Sequence, residues 1–147
     1  MMLHARNGRS DFQFWLNCGG DTALDSYGST SKLSLIPHSH FRFLEDFHSY
    51  FETETHFFVH ANYKPDVKLE ELDDHTLRWL SLQDFTPQSR HCSNKVAVMG
   101  HTPQQDVLDL GYLICIDTGC CNNGWLTALE VDTKQRWQVD ERGLLKT

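Results

Sequence analysis

Two stretches decide how this chain folds: His56-Phe57-Phe58-Val59-His60 running into Ala61-Asn62-Tyr63-Lys64-Pro65, and Lys95-Val96-Ala97-Val98-Met99 running into Gly100-His101-Thr102-Pro103. Each opens with a short strand-like run that is apolar at successive positions rather than at alternate ones. A strand apolar on both faces expects burial on both. Each run then stops at a His where a turn-rich loop begins. Imidazoles at the ends of buried strands can converge on one site because the sheet holds them rigid, and neutral imidazole is a common metal ligand. His60 and His101 are therefore candidate ligands. The ordinary alternative is that, in a chain with nine histidines, each is a surface residue or a hydrogen-bonded core residue.

Further strands are predicted over Tyr50 to Glu54, Tyr112 to Ile116 and Trp125 to Val131, with Arg136 to Val139 pairing beside the last. Between the two deciding stretches, Leu69 to Leu82 predicts a helix carrying Leu72, Leu77, Trp79, Leu80 and Leu82, acidic at its start as the helix dipole prefers and ended by Thr86-Pro87. Ahead of them, Ser10-Asp11 caps a short helix from Phe12 to Asn17 that Gly19-Gly20 ends, and a second helix runs from Asp21 to Ser26. Pro37 suits the first turn of a third, with Phe41, Leu44 and Phe47 on its core-facing stripe. Residues 1–47 thus read as mainly helical, and residues 48–147 as mainly strands with one helix near 69–82. Together they make one mixed α/β domain without an obvious interdomain linker.

Composition narrows the function classes. The 147 residues are 39% hydrophobic and 12% aromatic, enough apolar material for a packed core. The net charge of −7, with 13 scattered Lys and Arg, argues against a nucleic-acid surface, which needs clustered cations. No apolar run approaches the roughly 20 residues of a membrane span, and the start lacks the apolar stretch of a signal peptide. Five cysteines without CxxC spacing, two of them the adjacent Cys120-Cys121, read as reduced thiols rather than as a disulfide or zinc framework. A cytoplasmic protein is the resulting expectation.

The words around the two histidines carry a resemblance. His60-Ala61-Asn62, Gly100-His101-Thr102-Pro103 and Ile116-Asp117-Thr118-Gly119 occur in this order. They resemble the H-A-G, G-H-T-P and I-D-T-G blocks of bacterial serine/threonine protein phosphatases and the related dinucleoside tetraphosphatases, members of the calcineurin-like metallophosphoesterases. Phe14-Trp15-Leu16-Asn17-Cys18-Gly19-Gly20 with Ser26-Tyr27-Gly28 resembles the same family's F-W-L-x-N-G-G…S-Y-G segment. Gly124-Trp125-Leu126-Thr127-Ala128-Leu129 resembles its G-x-L-T-A-L strand.

The resemblance implies the C-terminal portion of an α/β/β/α sandwich and a phosphoric-ester hydrolase whose substrates are phosphoproteins or dinucleoside polyphosphates. It assigns His60 and His101 to two ligands of one metal in a two-metal centre of Mn, Fe or Zn. The family's G-D-x-H-G, G-D-x-x-D-R-G and G-N-H-E blocks, which bring the bridging Asp and the catalytic His, match nothing here. The chain is accordingly expected to be a truncated member that begins after the third block. Alone it should hold at most one weakly bound ion and be inactive, since two-metal chemistry needs both ions clamped on the phosphate. A noncatalytic remnant acting as an interaction module, oligomerising through exposed apolar surface, is the competing expectation.

Other residues are weighed with their plainer readings. Asn62 stands where the resemblance expects Gly, and Asn is the side chain that best tolerates left-handed backbone; it also joins the candidates for a place around the phosphate. Arg78 is a candidate phosphate grip, because guanidinium binds phosphate bidentately, or else a solvent-facing helical Arg. Asp117 either orients a site histidine through its second ring nitrogen or supports the turn at Thr118-Gly119. His38 with His40, and the acidic run from Glu70 to Asp74, read as a helix-start cluster and a solvated helix face rather than as metal sites.

Overall fold

The computed structural model describes residues 1–29 and 31–146. Contacts cluster into two compact units, Met1–His48 and the chain from Ser49 onward, and each has its own core.

The first unit is helical. Helix α1 spans Arg9–Trp15 and passes into a wide π-type turn, Leu16–Gly20, before α2, Asp21–Asp25. The expected break at the glycine pair is present: Cys18 and Gly19 leave helical geometry, and Gly19 takes φ +91°, which a side chain would resist. Gly20 is needed for space, because a Cβ there would lie 2.5 Å from the Trp15 ring. The helix starts earlier than expected, with Gly8 at its N-cap position, so Ser10 and Asp11 lie inside its first turn and do not cap it. Helix α3 spans His38–Glu45 directly after Pro37. Of its expected stripe only Phe41 is buried, packing with Ala5, Trp15, Leu24 and Ile36; Phe47 lies beyond the helix end and is exposed.

The second unit is built on a five-stranded mixed sheet. Strands β1 (Tyr50–Glu52), β2 (His56–Val59), β3 (Val96–Met99), β4 (Leu108–Asp109) and β5 (Leu113–Cys115) lie in the order β1-β2-β3-β5-β4. The three central strands are parallel and the two edges antiparallel. The sequence pattern explains why. Phe57, Val59, Ala97, Met99, Leu113 and Cys115 point to one face and pack with Tyr63, Leu69, Leu77 and Leu82. Val98 and Ile114 on the opposite face are also buried. A fully buried Phe such as Phe57 contributes on the order of 1.5–3 kcal/mol. Along β2 and β3, Phe57, Val59, Ala97, Val98 and Met99 are buried, while Phe58 and Val96 are half-buried.

The helix expected over Leu69 to Leu82 is shorter and interrupted. A 3-10 turn, Leu69–Glu71, gives way to extended backbone at Leu72, and α4 covers only Asp74–Arg78. The cause is local: the Asp73 carboxylate accepts the Thr76 N–H at 2.7 Å, so Asp73 starts a new helix rather than continuing an old one. Strands β6 (Leu126–Leu129) and β7 (Arg136–Val139) form a separate antiparallel pair. One face is tied inward through Thr127 Oγ1, which meets Thr118 Oγ1 at 2.6 Å and accepts from Gln138 Nε2 at 2.8 Å. No helix among the described residues is long and apolar enough to cross a membrane.

Candidate functional site

Because β2, β3 and β5 are parallel neighbours, the residues that follow them emerge on the same edge of the sheet. His60 follows β2, Gly100-His101 follows β3, and Ile116-Asp117 follows β5. Crevices at the carboxyl ends of parallel strands are where α/β sheets bind ligands. The imidazole rings of His60 and His101 lie 5.1 Å apart, centroid to centroid, at 56°. Main chain reinforces the pairing: the Gly100 N–H donates to the His60 carbonyl at 3.0 Å.

His101 sits at φ +64°, a left-handed geometry uncommon for a residue with a side chain. The next residue explains how it is held. Buried Thr102 donates its N–H to the Gly100 carbonyl at 2.7 Å and accepts the Leu82 N–H on Oγ1 at 2.8 Å. Its carbonyl accepts from Gln104 Nε2 and from the Cys115 thiol. The His101 ring is fixed separately, with Nε2 3.1 Å from the Trp79 carbonyl and the Trp79 ring edge-on at 6.2 Å and 85°. Neither Thr102 nor the Trp79 carbonyl was legible as part of the site. A main-chain carbonyl has no sequence signature, and Thr102 reads as a loop residue.

Desolvation of its ring, reinforced by the neighbouring His101, holds the His60 pKa below the ordinary imidazole value; Asp117 acts against this shift, and Arg78 adds a little to it. All the sequence-chosen charges therefore act on one ring. Asp117 Oδ1 accepts the Gly119 N–H at 3.0 Å, so the carboxylate supports the turn while its charge reaches His60. Arg78 is exposed and tethered, its Nε 3.4 Å from Asp74 and its second guanidinium nitrogen 3.0 Å from Ser49 Oγ.

Asn62 does not belong to the exposed edge. It is wholly buried, its amide donates to the Phe85 carbonyl at 2.7 Å, and its Oδ1 accepts the Tyr63 N–H at 2.8 Å. Nor is it left-handed: among the described residues the non-glycine positive φ angles fall at Asn94, His101, Asn123 and Lys134. Asn62 is thus a core bracket, its amide group spent on main-chain partners. His40 pairs with the Tyr27 hydroxyl at 2.7 Å, and the acidic run divides into a helix cap at Asp73 and an ion pair at Asp74. All five cysteines are free thiols, and burial pushes the Cys115 thiol upward in pKa.

A resident divalent ion would need about four or more donors around it. Among the described residues no group of three or more His, Cys, Asp or Glu is gathered to hold a metal ion. The two imidazoles supply part of such a shell, and the donor set present does not fit a complete centre. Set beside known families and curated proteins, the chain matches no family model and no curated protein.

Proposed function

We propose that this chain carries the two-histidine side of a phosphoric-ester hydrolase site of the calcineurin-like metallophosphoesterase type, in the serine/threonine protein phosphatase branch. Phosphoproteins are its substrate class, with dinucleoside polyphosphates as the alternative within the same chemistry. The sandwich architecture of that family and a cytoplasmic setting, which suits five reduced cysteines, belong to the same proposal. The observation that supports it is the His60–His101 pair, 5.1 Å between ring centroids at the ends of adjacent parallel strands. Asp117 and Arg78 complete the electrostatics, one acting on the charge of His60 and the other offering a guanidinium to phosphate.

By itself the pair holds one Mn, Fe or Zn ion weakly, and the chain does not turn over phosphate esters. Among the described residues no group of three or more His, Cys, Asp or Glu gathers to hold the two ions that this chemistry clamps on the phosphoryl oxygens. The test is direct. Purified chain given Mn²⁺ and p-nitrophenyl phosphate should show no turnover sensitive to His60→Ala or His101→Ala, while Mn²⁺ should broaden the NMR signals of both rings. A fusion that places G-D-x-H-G, G-D-x-x-D-R-G and G-N-H-E blocks ahead of Met1 should gain turnover that His101→Ala removes. Robust turnover by the unfused chain, or no broadening at either ring, would overturn the reading.

A second reading rests on the β6–β7 pair. Its register puts Leu126, Ala128, Trp137 and Val139 on one face, and Leu126 is 61% and Trp137 47% exposed. That face suits a noncatalytic interaction module or a homo-oligomer. Analytical ultracentrifugation discriminates: association abolished by Trp137→Glu favours it, and a monomer at all concentrations rules out self-association through this face.

A further inference from the structure

We propose that Trp79 is a positioning residue for His101, fixing which ring nitrogen carries the proton and how the ring is turned; what the oriented pair acts on rests on the phosphoesterase reading above. Trp79 sits just past the last turn of α4. Its main-chain carbonyl is taken up by the His101 imidazole, Nε2 standing 3.1 Å from the oxygen. A carbonyl oxygen only accepts, so Nε2 carries the hydrogen. A neutral imidazole has one N–H, which leaves the lone pair on Nδ1.

The Trp79 indole adds the second restraint, standing edge-on to the imidazole at 6.2 Å and 85°. The backbone under the ring is equally constrained. His101 takes φ +64°, a conformation that costs on the order of 1–3 kcal/mol and persists only where the surroundings over-determine it. Here those surroundings are the Gly100 and Thr102 hydrogen bonds on either side. The ring paired with His60 is therefore held with a fixed polarity and supplies an acceptor rather than an averaged donor and acceptor. Trp79 touches neither substrate nor ion in this role; it acts through His101.

The ¹⁵N-labelled full chain tests this through two-bond ¹H–¹⁵N spectra at about pH 8, above the ordinary imidazole pKa near 6.5. His101 should show a single tautomer protonated at Nε2. Trp79→Phe should keep it. Trp79→Ala keeps the main-chain carbonyl and removes the indole edge, so with the amide spectrum of β2, β3 and β5 unchanged it should retain the Nε2 tautomer but shift the His101 ring signals. A wild-type His101 protonated at Nδ1 or already averaged overturns the proposal without any variant, and so do unchanged ring signals in Trp79→Ala. Adding Mn²⁺ to the same sample separates the two claims. A fixed tautomer without broadening sinks the phosphoesterase reading alone.

Discussion

Thr102 Oγ1 accepts the main-chain N–H of Leu82 at 2.8 Å, tying the loop after β3 to the segment that follows α4. Both residues are buried, so this single hydroxyl binds together the two loops that present His101 and Trp79.

Replacing Thr102 with Val keeps the shape and removes the acceptor, leaving a buried N–H unpaired. A loss of about 1–3 kcal/mol is expected in denaturant unfolding. Thr102→Ser should recover most of it. Equal stabilities of the Val and Ser variants would show that the hydroxyl does not hold the loops.

Asn62→Ala should destabilise the chain by a similar amount, about 1–3 kcal/mol, because it leaves the buried Tyr63 N–H unpaired and takes the amide donor from the Phe85 carbonyl. Asn62→Asp should be worse, since a carboxylate would face the Phe85 carbonyl without a donor. If Asn62→Gly proved as stable as the parent, the core-bracket role would be wrong.

The lowered pKa of His60 has a definite sign in stability. The folded state resists protonating this ring, so the unfolded chain binds more protons as pH falls through the ordinary value near 6.5. The contribution is present above that pH and is lost as pH drops toward the folded pKa. Unfolding measured between about pH 5 and 8 should show stability falling on acidification, with a shallower slope in His60→Gln. An unchanged or steeper slope in the variant would contradict the assignment.

Gly124 is confined sterically: a Cβ there would come within 2.0 Å of the Thr118 carbonyl oxygen and 2.7 Å of that of Gly119. Backbone atoms cannot swing aside as a side-chain tip can, so Gly124→Ala should cost at least the roughly 1–3 kcal/mol of an overpacked site. It should also loosen the bond from Thr118 Oγ1 to the Trp125 carbonyl. Hydrogen exchange across β6 and β7 reads the effect, and protection equal to the parent's would count against it.

The linear pattern by itself determined most of the strands, because runs such as Phe57-Phe58-Val59 and Val96-Ala97-Val98-Met99 are apolar at successive positions; only pairing in the sheet made the central ones parallel. It also determined that a His would end two of them, and parallel pairing is enough to bring those ends to one edge. Arg136 to Val139 was legible as a partner for the preceding strand because it alternates polar and apolar residues after a polar turn segment. Strand β4 was not: its two residues are too few to show a period, and pairing with β5 alone defines them. The tertiary structure alone decided that Asn62 turns inward, that Asp73 restarts a helix, and that the Trp79 carbonyl meets His101. Each depends on a main-chain group brought from far along the chain or on a local choice between competing hydrogen bonds. Side-chain patterns record burial, but backbone donors and acceptors are the same at almost every residue, and only the folded chain pairs them.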